Sequence, residues 1–287
     1  MTCGICSGPL GLRYRGDAPE LVAAAFAPSC HSVSGYADLY ACERCGTVQQ
    51  PDLPSGAELH DLYRDMRDDA YLAEEAGRRV TARRLLDAIE RHAPRGRMLE
   101  VGCGHGLLLD EARARGWAVE GLELAAGSRE HARSLGLDVR DETLEQVEAG
   151  GYQAVVLSDV LEHLDDPVDA LHRIGRLLVP GGVALLVTPD PASRAARLAG
   201  PSWWGYLPSH TYLIPHSTLR ELLRGAGLET VDERHFWRTF SFGYWIAGLG
   251  ERSGAVRSAV NAVEKAGLAK RPLTMTLGDE RVVIARR

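Results

Sequence analysis

Between residues 97 and 188 the chain alternates short apolar runs with amphipathic stretches, and few folds accept that alternation. The runs at 97–101, 117–122, 153–158 and 183–188 are apolar nearly throughout, so each is expected to be a strand covered on both faces. Helical spacing fills 106–115, 125–135 and 168–178, with a brief strand at 137–139 and a further helix at 143–149. Repeated strand–helix units of this kind predict an α/β fold, a doubly wound parallel sheet with helices on both sides. Beyond it, 217–225 reads as a helix, and 228–234 and 281–285 as strands.

The flanks differ in character. Five of the six cysteines precede Pro54, in a stretch with little helical periodicity, and Pro51, Pro54 and Gly56 mark its end. Charged helical spacing follows from 57 to 92 and stops at Pro94 and Gly96. The expected organisation is therefore a cysteine module at 1–54, a helical connector or lid at 55–94, and the α/β domain at 95–287. Substrate-binding insertions are expected in that domain near 190–216 and 236–275. A net charge of -6 argues against nucleic acid as a partner, because gripping phosphates needs a basic face. No apolar run approaches the roughly 20 residues that span a bilayer, so no membrane partner is expected and the chain reads as cytoplasmic.

The strand at 97–101 runs into Gly102-Cys103-Gly104-His105-Gly106 and then a helix. Glycines so placed let the backbone turn tightly and approach a ligand beside a helix N-terminus. Alone, this turn suits a dinucleotide equally well. Glu100 separates the two, since an acid at the strand end repels a pyrophosphate but suits the cationic amino-acid end of S-adenosylmethionine. Glu123 ends the next strand about 20 residues on, where a carboxylate accepts ribose hydroxyls. The loop from Asp159 to Leu164 follows the strand at 153–158, at the same carboxyl edge of the sheet.

The run 99–106 resembles the first motif of the class I methyltransferases, 159–167 resembles their post-strand-four motif, and 177–189 their strand-five motif. The resemblance covers roughly residues 57–287. It implies a seven-stranded, mostly parallel Rossmann-like sheet whose last strand inserts antiparallel, and S-adenosyl-L-methionine as cofactor. Carried over by position, Glu100, Gly102 and Gly104 hold the methionine end and Glu123 the ribose, with Leu124 beside it in the cofactor site. Asp141 and Glu142 flank the adenine, Asp159 faces the sulfonium, and Tyr71 of the connector touches the methionine carboxylate or closes the pocket. Cys103 belongs to the same loop as a small filler beneath it.

Cys3, Cys6, Cys42 and Cys45 form two CxxC pairs, each followed shortly by glycine. Two such knuckles suit a tetrahedral structural Zn2+, and a closed four-thiolate site leaves no open position for catalysis. Cys30 and His31, in the loop between the pairs, are alternative ligands, and a redox CxxC is the competing reading. The arrangement is similar to bacterial methyltransferases with an N-terminal zinc ribbon that act on deoxysugars and other secondary metabolites. The sugar C-methyltransferases of that group usually carry a further large C-terminal domain beyond the length of this sequence, so sugar C-methylation is not the expected reaction.

Methyl transfer needs positioning, and a base where the acceptor is not already nucleophilic. His210, in an aromatic segment that holds Trp203, Trp204, Tyr206 and Tyr212, is the first candidate for base or substrate contact, and His163 the second. A packed aromatic lid explains the same segment. The pattern of Asp159, Glu162 and His163 also resembles the divalent-cation site of ubiquinone-pathway O-methyltransferases. Aromatic residues from Phe236 to Trp245 are expected to wall a substrate site or to form a dimer surface. The expected activity is O-methylation of a small molecule, free or carrier- or nucleotide-linked, in secondary metabolism, by a monomer or homodimer. Two alternatives stand beside it: a cyclase or isomerase that leaves the cofactor intact, and a tailoring enzyme docked on a carrier protein.

Overall fold

The computed structural model describes residues 1–17, 22–27, 35–54, 56–68, 70–148, 150–250 and 268–287. The chain opens with three short antiparallel strands, β1 (Leu10–Tyr14), β2 (Leu39–Cys42) and β3 (Val48–Gln49). Helices α1 (Ala57–Arg64) and α2 (Glu75–Glu90) lead to the central units. These are β4 (Arg97–Val101), α3 (Leu107–Ala114), β5 (Ala118–Leu122), α4 (Ala126–Ser134) and β6 (Val139–Arg140). Then come β7 (Tyr152–Ser158), α5 (Pro167–Leu177) and β8 (Leu178–Pro189). The remainder is α6 (Arg194–Ala199), β9 (Tyr212–Leu213), α7 (His216–Gly225), β10 (Glu229–His235) and β11 (Arg238–Ser241). Helix α8 (Phe242–Gly250), β12 (Pro272–Met275) and β13 (Glu280–Arg286) complete it.

Seven strands make one sheet in the order β10-β13-β8-β7-β4-β5-β6. The run from β8 to β6 is parallel, and β13 slots in antiparallel to both β8 and β10, as the motifs led one to expect. The apolar strands are explained by what covers them. Val155 and Leu157 of β7, Ala184 and Leu186 of β8, and Val283 of β13 face a core built with Leu171 and Ile174 of α5 and Leu219 and Leu223 of α7. Their neighbours Ala154, Val156, Val183, Leu185, Val187, Val282 and Ile284 face a second core with Leu85, Leu86 and Ile89 of α2. Each such fully buried aliphatic side chain contributes about 1.5–3 kcal/mol of transfer free energy, which no half-exposed strand would gain.

Local signals set the ends of the helices. Asp166 caps α5 by accepting from the Asp169 N–H at 2.9 Å, and Pro167 occupies the first turn, where its missing donor costs nothing. Gly77 in α2 lies under β11; a Cβ there would come within 2.4 Å of the Thr239 carbonyl oxygen. The helix expected over 143–149 is reduced to a single 3-10 turn, Leu144–Gln146. Thr143 and Gln146 close a capping box around that turn, so its few donors are satisfied without further helix.

The N-terminal strands are not a detached unit. β9, from the insertion after β8, pairs with β3 and extends the small sheet to four strands, β1-β2-β3-β9. Leu39 and Val48 of the cysteine module share one apolar cluster with Ala196, Trp203, Tyr206 and Leu213 of the insertion.

Candidate functional site

The strand order turns back between β4 and β7, and the loops after these strands open there into a cavity of about 1210 Å³. Gly102, Gly104 and Gly106 all hold positive φ (64°, 53° and 77°), which a side chain tolerates poorly. At Gly102 there is no room either, since a Cβ would lie 2.7 Å from Val160 Cγ2. The loop is thus shaped by glycine for close approach to whatever fills the cavity. Cys103 Sγ packs over Gly121 of β5, a buried filler.

Two acids sit at the floor. Glu100 is buried, its Oε2 has no hydrogen-bond partner, and burial followed by repulsion from Glu123 pushes its carboxyl well above the usual range. A buried carboxylate oxygen without a donor is costly, and a ligand cation with N–H groups answers that need. Glu123 accepts from the Gly104 N–H at 2.7 Å and the Ala125 N–H at 2.7 Å. Each of its oxygens keeps a lone pair for a further donor such as a ribose hydroxyl. Leu124 and Glu142 line the same side, and Glu142 is paired with Arg140. Asp141 turns to Arg64 and Arg129, at 3.5 and 3.3 Å.

Over the glycine loop lies a stack. The Tyr71 and His105 rings are nearly parallel at 4.5 Å, and the Arg78 guanidinium covers the other face of Tyr71 at 3.7 Å. Burial, with His131 adding, lowers His105 to about 4, so it is neutral across the working range.

The loop after β7 carries the other half. Asp159 holds φ +58°, unusual for a residue with a side chain, and accepts from Arg238 Nη2 at 2.8 Å. Arg238 also pairs with Glu280, so β11, β13 and this loop are tied by one partly buried guanidinium. Glu162 is buried with Oε2 unpartnered. His163 Nδ1 lies 2.9 Å from the Ser209 carbonyl and 2.7 Å from the Tyr63 hydroxyl, while His210 Nδ1 lies 2.7 Å from the Gly205 carbonyl. A carbonyl only accepts, so both rings carry their proton on Nδ1 and keep the lone pair on Nε2. Burial lowers His163 and, with His163 adding, brings His210 down to about 3. Glu162, His163 and His210 each offer a ligand atom within 4.8 Å of the other two. Such a trio of acceptors calls for a donor, either acceptor hydroxyls or a cation.

The far wall is aromatic: Phe240 stacks at 4.2 Å on Tyr244 and meets Trp245 at 5.5 Å. Trp203 and Trp204 donate their indole N–H groups to the buried Asp279, at 2.7 and 2.5 Å. Arg238 and Ser209 were not singled out as site residues by sequence reasoning. Arg238 is a lone cation in a polar strand, and Ser209 acts through its backbone, so neither carries a residue-type signal.

In the N-terminal module, Cys3, Cys6, Cys42 and Cys45 gather with their Sγ atoms within 4.8 Å of one another. Cys3 and Cys45 are 3.7 Å apart, Cys6 and Cys42 3.4 Å. The Ile5 and Arg44 N–H groups point at Cys3 and Cys42 sulfur, each at 3.4 Å, as thiolates at a knuckle require. This donor set fits a tetrahedral zinc ion. Cys30 and His31, the alternative ligands, lie outside the described residues.

Comparison with known proteins places these features. A family profile described as a methyltransferase domain matches residues 72–233. A ubiquinone biosynthesis O-methyltransferase of Cereibacter sphaeroides (strain ATCC 17025 / ATH 2.4.3) is 32% identical over 182 residues, which is 58% of this chain and 73% of that protein. One from Ruegeria pomeroyi is 37% identical over 155 residues, covering 49% of this chain and 62% of the relative. Among solved structures, a SAM-dependent methyltransferase from Archaeoglobus fulgidus superposes with a TM-score of 0.53 at 19% identity, covering 77% of this chain and 100% of the other. Magnesium protoporphyrin IX methyltransferase of Synechocystis PCC 6803, solved with bound SAM, gives 0.51 at 13% identity, covering 83% and 99%. These two likenesses are of fold. The cysteine module precedes the matched region.

Proposed function

The chain belongs to the class I S-adenosylmethionine-dependent methyltransferases, and from that premise we propose that it methylates an oxygen of a small-molecule acceptor held between His163 and His210. One observation carries the reading: a single cavity is lined by both the unpartnered buried Glu100 and the two imidazoles. S-adenosylmethionine, when bound, supplies an electrophilic methyl carbon on sulfur. Glu100 would hold its ammonium group and Glu123 its ribose hydroxyls, with Leu124 and Glu142 lining the cavity beside them and Tyr71 over Gly104 closing the methionine end. Asp159, anchored by Arg238, lines the same cavity.

On the acceptor side, neutral His210 offers its Nε2 lone pair to the acceptor hydroxyl. Burial makes it a weak base, so the proton crosses only as the oxygen bonds to the methyl carbon and turns strongly acidic. His163 at 4.7 Å from His210 is the second group able to accept it. The aromatic wall excludes water and holds a flat or apolar acceptor body. Oxygen is favoured as the target because the relatives are named O-methyltransferases of ubiquinone biosynthesis. The four N-terminal thiolates suit a zinc ion with a structural role.

The test is methyl transfer from labelled S-adenosylmethionine to a panel of catechols and simple phenols, with the methylated position read by NMR. Labelled ether and stoichiometric S-adenosylhomocysteine are expected. Turnover of an acceptor with the cofactor recovered intact would overturn the reading in favour of a cyclase or isomerase.

A further inference from the structure

Between the two cysteine pairs, the described residues Phe26, Ala27, Gly35 and Tyr36 line the cavity. Phe26 lies there in a 3-10 turn, Ala23–Phe26, buried in an apolar cluster with Leu59 and Met66 and with Ala125 beside the Glu123 loop. Its ring meets Tyr63 edge-on, with centroids 4.8 Å apart at 76°. Tyr63 in turn touches His163 through its hydroxyl at 2.7 Å and stands edge-on to that ring at 5.9 Å. Further along, Tyr36 donates to the Pro201 carbonyl at 3.1 Å and meets Tyr206 at 5.7 Å, so the same segment leans on the insertion that carries His210.

We propose that Phe26 is a working part of the acceptor site: Phe26 braces Tyr63, and Tyr63 with the Ser209 carbonyl holds His163 with its proton on Nδ1 and its lone pair on Nε2. The role rests on reading His163 as an acceptor-side group. Tyr63 is then a positioning residue, and so, one step removed, is Phe26. The physical argument is one of tautomer. An imidazole free to rotate places a proton or a lone pair toward the cavity with similar ease, and only the lone pair on Nε2 can receive a proton. The Ser209 carbonyl at 2.9 Å and the Tyr63 oxygen at 2.7 Å select the tautomer together. Tyr63, whose oxygen accepts the second branch of the Nδ1–H bond, fixes the ring's tilt, and a phenol so placed needs packing behind it. Phe26 supplies that packing from outside the matched methyltransferase region. A mere space-filling role for Phe26 would stabilise α1 without touching the histidine.

The experiment is long-range nitrogen–proton NMR on full-length protein labelled at histidine and saturated with S-adenosylhomocysteine. Wild type is expected to show His163 as a single Nδ1–H tautomer. Tyr63→Phe should move its two nitrogen shifts toward the average of the tautomers. Phe26→Ala should do the same, and Phe26→Leu should restore most of the wild-type pattern. His92, which bonds Asp232 away from the cavity, should stay unmoved, and calorimetric affinity for S-adenosylhomocysteine should change less than about threefold. The proposal is overturned if Phe26→Ala leaves His163 unmoved, if Tyr63→Phe does, or if His92 moves as much. Because the readout needs no turnover, failure to methylate any acceptor would sink the functional reading and leave this one to be judged on its own spectrum.

Discussion

Exchanging Glu100 for glutamine (E100Q) should produce two effects of opposite sign. In the protein without cofactor, Glu100 Oε2 is buried without a donor and burial raises its carboxyl well above the usual range. An acid whose folded value is raised favours folding below its unfolded value near 4.3, and that contribution is lost as pH climbs through the folded value. The amide escapes the penalty, so E100Q should be more stable than wild type above about pH 5 by roughly 1–3 kcal/mol, or a few degrees of thermal midpoint. Cofactor binding should move the other way. A hydrogen bond between the charged carboxylate and the ammonium contributes about 1.5–3 kcal/mol, so affinity for S-adenosylmethionine should fall roughly 10- to 150-fold. The carboxyl must also release any proton it holds before it can pair. Calorimetric enthalpies of wild type should therefore vary with the ionisation enthalpy of the buffer, and those of E100Q should not. Scanning fluorimetry across pH 5–9 and calorimetry in two buffers measure all of this. A variant that binds the cofactor as wild type does, or that melts lower without it, would refute the assignment of Glu100.

Other expectations are shorter. Gly102→Ala combines positive φ with a Cβ 2.7 Å from Val160 Cγ2, so its S-adenosylhomocysteine affinity should drop more than about tenfold by calorimetry, with strain of roughly 1–2 kcal/mol lowering the melting point. His210→Gln should cut kcat by about 10²- to 10⁴-fold in the phenol assay while leaving cofactor affinity alone. Burial brings His210 down to about 3, so it stays neutral in the fold while the unfolded chain takes up a proton below about pH 6.5. Wild-type stability should therefore fall as pH drops from 6.5, and denaturant titrations of His210→Gln should show a shallower fall. Cys42→Ser should reduce zinc content below one equivalent by elemental analysis and lower the melting point, with S-adenosylhomocysteine affinity less affected than stability.

Much of the fold was legible because strands buried on both faces write themselves as continuous apolar runs, as 153–158 and 183–188 do. The cofactor half of the site was legible for a related reason, since glycines and acids at strand ends are compositional signals. The acceptor half depended on contacts far apart in sequence. β9 is two residues long, Tyr212–Leu213, and exists because β3 offers it an edge; no periodicity announces a strand of that length. The aromatics from Phe236 to Trp245, expected to wall a substrate site or form a dimer surface, are divided by the structure between the stretch around β11 and the start of α8. Tyr63 reads from the sequence as a tyrosine of the connector beside Tyr71, and only the fold brings its hydroxyl to His163. Asp141 shows the reverse, an acid at the expected position whose charge is answered by two arginines, Arg64 and Arg129.

The joint between β3 and β9 bears on how such a chain can be cut or inherited. Removing residues 1–54 would leave Trp203, Tyr206 and Leu213 with half of their packing gone and would bare the edge of β9 to other chains. A truncated protein that failed would then report a broken interior and say nothing about docking. By the same reasoning, neither the ribbon nor the insertion after β8 can be swapped alone between relatives. A chimaera that folds must carry both pieces from one parent, so the two segments should travel together as one heritable cassette, although some 140 residues of the enzyme lie between them.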